Sequence, residues 1–90
     1  MAKELLLNGR VQDVFCRHYC GQNARKLGIR GSASNLWDGS VRVLLDCDDE
    51  MVDKYIKALR DNPYQFRFYG TITAIKANHY EGPIDGDYVF

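Results

Sequence analysis

Ninety residues set the scale of one domain, spanning 1–90, near the small end of what builds a core without staples. A hydrophobic content of 46%, with 12% aromatic side chains, rules out a disordered chain. Twelve basic and twelve acidic side chains cancel, so no global field draws in nucleic acid or a membrane, and neither is expected as a partner.

Residues 3–9 are a short apolar run stopped by Gly9, read as a buried first strand. Gly9-Arg10-Val11-Gln12-Asp13-Val14-Phe15-Cys16-Arg17 then reads as a strand end, a tight loop and a helix opening with an arginine in its first turn. Residues 17–27 follow at helical period: Cys16, Cys20, Ala24 and Leu27 share one face, Arg25 and Lys26 point out, and Gly28 closes the helix. Residues 29–36 and 40–47 form two strands around Asp38-Gly39, a strong hairpin signal. In the second, Val41, Val43, Leu45 and Cys47 alternate with Ser40, Arg42, Leu44 and Asp46, giving one apolar face. Asp48, Asp49 and Glu50 place acid at a helix start, Met51, Val52, Tyr55, Ile56 and Leu59 form its buried stripe, and Asn62-Pro63 ends it. A fourth strand is expected over 66–77, and a short terminal strand over 87–90. The order β-α-β-β-α-β with right-handed crossovers predicts an α+β class. Its architecture is a ferredoxin-like split β-α-β sandwich, with two helices on one face of an antiparallel sheet.

That architecture hosts many functions, so the residues must decide. RNA-binding domains of the same element order stack bases on aromatics of the third strand. Here Val41-Arg42-Val43-Leu44-Leu45 carries none, and Tyr64, Phe66, Phe68 and Tyr69 are read as core and rim. Three cysteines, an odd count, with no signal peptide and no long apolar run, point to free thiols in the cytoplasm. Cys16, His18 and Cys20 lie close together, but zinc spacing needs a second ligand pair and only Cys47 and His79 remain, far apart in sequence, so no metal is expected. No paired carboxylates, Ser/His/Asp set, Cys/His dyad or Gly-Lys-Ser/Thr loop stands out. What remains is the loop after the first strand. Backbone N–H groups at a strand–loop–helix junction form an anion site, and Arg17 adds a planar fork suited to phosphate oxygens. Residues 1–30 carry six Lys/Arg against two acids, so positive charge gathers with that loop. Taken singly, Arg17 also fits a surface ion pair, and Asn35 a turn-capping amide.

Two stretches together resemble the acylphosphatase family. Gly9–Arg17 is similar to its first motif, roughly G-x-V-Q-G-V-x-F-R. Asn35-Leu36-Trp37-Asp38-Gly39-Ser40-Val41 is similar to its second, N-x-x-x-G-x-V. The resemblance implies hydrolysis of the carboxyl–phosphate bond of small acyl phosphates, giving a carboxylate and inorganic phosphate, in a monomer needing no cofactor. It matches Arg17 to a phosphate-binding arginine and Asn35 to an asparagine that holds the attacking water. The loop of Gln12, Asp13, Val14, Phe15, Cys16 and Arg17 matches a cradle of backbone amides around the phosphate. An alternative is a degenerate domain of this kind that binds a phosphorylated ligand or a protein without turnover.

Four residues depart from the family pattern. Asp13 stands where the motif has glycine, inside the loop expected to wrap the phosphate. A carboxylate roughly 6 Å from a phosphate dianion costs about 1–5 kcal/mol as the effective dielectric falls from about 80 to about 20. About 1.4 kcal/mol already means a tenfold rate loss. Cys16 replaces an aromatic or methionine, Ser32 an aromatic, and Cys47 a glycine, changes that bear on packing more than on chemistry. The expectation is a working but slowed enzyme.

Overall fold

The first strand, β1 (Ala2–Arg10), buries Leu5 and Leu7 completely while Leu6 stays partly exposed, the period-two pattern of a strand with one covered face. The computed structural model describes residues 2–90. Helix α1 (Cys16–Leu27) follows, then strands β2 (Arg30–Asn35) and β3 (Val41–Asp46), helix α2 (Asp49–Asp61), and strands β4 (Thr71–Tyr80) and β5 (Tyr88–Val89). The five strands form one sheet in the order β4-β1-β3-β2-β5, every neighbouring pair antiparallel. This is the expected α+β ferredoxin-like sandwich, with β5 added at one edge.

Both helices bury their apolar stripes on the same face. Tyr19, Cys20 and Ala24 of α1 join Val52, Tyr55 and Leu59 of α2 over Leu5, Leu7, Ala33, Val41, Val43 and Leu45 of the sheet. Two buried phenols tie helix to helix: Tyr19 donates to Leu59 O at 2.7 Å and Tyr55 to Cys20 O at 2.8 Å. Asp48 caps α2 by accepting from Met51 N–H at 2.9 Å, as the acidic start predicts.

Two expectations need correction. The fourth strand begins at Thr71, not Phe66. Asn62 and Gln65 take left-handed backbone angles, and residues 66–70 pack onto the loop after β1 instead of extending the sheet. Phe68 stacks on Tyr19 at 4.6 Å, and a Cβ at Gly70 would run into Arg10 O. Leu44 is fully buried, although alternation places it on the open face with Arg42 and Asp46. The sheet order explains why. From β4 at one edge to β5 at the other, the chain must cross that open face. It comes down on Ser32 and Ser34, where a Cβ at Gly86 would meet both hydroxyl oxygens. Ser32, expected to loosen packing, is 1% exposed and donates to Asp85 O at 2.8 Å, so it anchors this crossing segment.

Candidate active site

The pairing of β1 with β4 shifts register between Asn8 and Gly9, where Thr73 is the extra residue of a bulge in β4, and the loop of residues 11–15 starts once β1 ends at Arg10. Gly9 sits at φ 124, where a Cβ would run into Thr71 O, so the bulge requires glycine. Within the loop, Asp13 and Phe15 take positive φ, 60 and 64, on either side of Val14. Alternation of this kind curls successive N–H groups toward one side and makes an anion-binding concavity. Phe15 is also the N-cap of α1, and its side chain offers no acceptor. The first helical bond runs from Tyr19 N–H to Phe15 O at 2.8 Å, so the N–H groups of the first turn stay open to an outside anion. No acid occupies that turn, yet Arg17 does, against the preference of the helix dipole. A local conflict of this sort is expected where function overrides stability.

The loop is clamped from two sides. Gln12 Nε2 donates to Leu36 O at 2.7 Å and Ser40 O at 2.9 Å, joining the loop to the β2–β3 hairpin. On the other side Tyr69 N–H donates to Val14 O at 3.1 Å, and Val14 itself is buried in the core. Asn35, last residue of β2, shares the helix-facing phase of Gly31 and Ala33 and so looks toward the start of α1. Its Oδ1 is buried with no hydrogen-bond partner among the described residues. The turn next to it is capped by Asp38 instead, which accepts from Ser40 N–H at 3.0 Å and Ser40 Oγ at 2.6 Å. Those two bonds hold the Asp38 carboxyl below the ordinary carboxylate range. The turn-capping role is therefore already filled, and Asn35 is left for something else.

A cavity of about 520 Å³ opens where these pieces meet, lined by Val11, Asp13, Phe15, Cys16, Arg17, His18, Asn35, Asp87 and Tyr88. Of the residues singled out in the sequence, Arg17 and Asn35 share this cavity with Asp13, Phe15 and Cys16. Gln12 and Val14 do not line it: the Gln12 amide is turned to the hairpin carbonyls and the Val14 side chain to the core. Cys16 and Cys20 bury their sulfurs 4.0 Å apart, whereas His18 lies exposed beside Tyr88, so the three do not converge on one point.

One residue escaped sequence reading. Asp87 Oδ2 accepts from Asn35 N–H at 3.0 Å and lies 3.4 Å from Arg17 Nη1. The surface ion pair expected as an alternative for Arg17 thus exists, but inside the cavity. The only sequence signal was an acid beside the short terminal strand.

Comparison with known proteins gives the family and the fold. The family model described as Acylphosphatase matches residues 3–88. An acylphosphatase of Methanocella arvoryzae is 42% identical over 62 residues, 69% of this chain and 70% of that protein. One from Corynebacterium glutamicum is 33% identical over 69 residues, covering 77% and 73%. The crystal structure of acylphosphatase from Bacillus subtilis aligns over 99% of this chain and 98% of its own, with a TM-score of 0.76 at 22% identity, a likeness of fold. With the family matched across nearly its whole length, the chain belongs to the acylphosphatase family.

Proposed function

We propose that this protein is an acylphosphatase whose cavity between the loop after β1 and the end of β2 hydrolyses small acyl phosphates. The observation that carries the reading is that Arg17 and Asn35, from separate elements, line one cavity beside an open helix N-terminus. Loop amides and the Arg17 guanidinium take the phosphoryl oxygens, where charge builds as the bond to the leaving group lengthens. The Asn35 side chain holds a water in line with that bond. Oxygen from this water bonds to phosphorus, the phosphorus–oxygen bond to the acyl group breaks, and a carboxylate departs. The water's protons go to phosphate and solvent. A carboxylate leaves readily, so no general acid is called for, and positioning supplies most of the catalysis.

The positive charge comes from Arg17 and backbone dipoles, with no metal or cofactor in the proposal. Balanced net charge supports the absence of a nucleic acid or membrane partner, an odd number of cysteines supports a reducing compartment, the cytoplasm, and the family resemblance supports a monomer. Purified protein should release phosphate from benzoyl phosphate or acetyl phosphate, at a rate unchanged by EDTA. Binding of inorganic phosphate without turnover would favour the non-catalytic alternative. Activity lost to chelation and restored by one divalent metal would overturn the metal-free mechanism.

A further inference from the structure

Two carboxylates line the same cavity, and their surroundings differ. Asp13 is exposed, with no hydrogen-bond or ion-pair partner among the described residues. Asp87 is built in. Ser32 Oγ donates to Asp85 O at 2.8 Å, Asp87 N–H donates to Ser34 Oγ at 3.0 Å, and Asn35 N–H donates to Asp87 Oδ2 at 3.0 Å. Pairing of Tyr88 and Val89 with β2 follows at once. The carboxylate is thereby fixed on the strand end that carries Asn35, facing Arg17 Nη1 at 3.4 Å.

We infer that Asp87 is a positioning residue for the phosphoryl site, holding the Arg17 guanidinium in register with Asn35, whereas Asp13 acts as an opposing charge. Arg17 carries a long side chain, 41% exposed, at a helix end that does not favour a cation. Left alone, it would sample many rotamers and lose that freedom only when substrate arrives. Asp87 removes part of that cost beforehand. The contact is longer than a tight charge-assisted bond, about 2.7–2.9 Å, so it steers one nitrogen and leaves the rest of the five-donor fork for phosphate. The charge of Asp87 is balanced by Arg17 and by the Asn35 N–H. Asp13 has neither, so only solvent and salt screen its charge from an incoming dianion. The inference rests on the cavity being the phosphoryl site.

Asp87→Asn and Asp13→Asn each take one negative charge from the same cavity, so a general charge effect is common to both. Inorganic phosphate is the probe, measured by calorimetric titration and as a competitive inhibitor of benzoyl phosphate hydrolysis. Asp87→Asn should weaken phosphate binding and raise KM about two- to fivefold, the range of an exposed ion pair, with kcat less affected. Asp13→Asn should shift both constants the other way. Asp87→Glu, which keeps the charge but displaces it, should fall between the parent and Asp87→Asn. Tighter phosphate binding in Asp87→Asn would show a merely competing carboxylate and overturn the inference. So would unchanged constants alongside a lowered unfolding midpoint, which mark a structural role. A parent protein that binds no phosphate would instead remove the reading of the cavity, and this inference with it.

Discussion

The tasks proposed for Arg17 and Asn35 are distinct and should separate kinetically. Arg17→Ala removes the main charge-assisted donor and is expected to abolish phosphate binding and turnover together. Asn35→Ala should leave phosphate inhibition near the parent value while lowering kcat on the order of a hundredfold, because a held water matters only for turnover. Steady-state kinetics with phosphate as inhibitor checks both, and full activity in Asn35→Ala would remove the assigned role. Both residues were legible in the sequence because each sits inside a short motif whose spacing is local. Asp87 was not. It lies 70 residues from Arg17, and only the crossing of the open sheet face brings them together. The loop between β1 and α1 was legible as a strand–loop–helix junction, yet not where each of its side chains turns. Periodicity cannot tell that Gln12 turns its amide to the hairpin carbonyls while Asp13 stays on the cavity.

At the level of elements, the helix pair is locked by phenols that must stay protonated. Burial first, then the neighbouring Cys20 thiol, pushes Tyr19 from 10.0 up to about 12, and burial pushes Tyr55 well above 10.0. The folded chain therefore keeps protons that the unfolded chain gives up near pH 10. Stability from this source is whole below pH 10 and lost as pH rises through about 12. Denaturant midpoints followed across alkaline pH should fall in that window, and less steeply in Tyr19→Phe. A flat profile would contradict the burial of these two hydroxyls. Helix α2 could be read in advance because its acidic cap and stripe are local signals. The start of β4 could not. Phe66 and Phe68 look like strand residues by composition, but the contact of residues 66–70 with the β1 loop outweighs that propensity. Leu44 was misplaced for a related reason, since alternation describes a strand and knows nothing of a segment laid across it.

The whole molecule couples these scales. A ferredoxin-like sandwich leaves one sheet face open, and the chain spends its last residues crossing it to place β5 and Asp87 beside β2. One end of the sheet thus gathers the β1 loop, the opening of α1, the end of β2 and the approach to β5 around one cavity. The mechanism proposed for that cavity requires water to attack phosphorus rather than the acyl carbon. Hydrolysis of benzoyl phosphate in water enriched in oxygen-18 tests this directly, with mass spectrometry of both products. One labelled oxygen is expected in the phosphate and none in the benzoate at early turnover. Label in the benzoate would mean attack at carbon, and would contradict the roles given to Arg17, Asn35 and the loop.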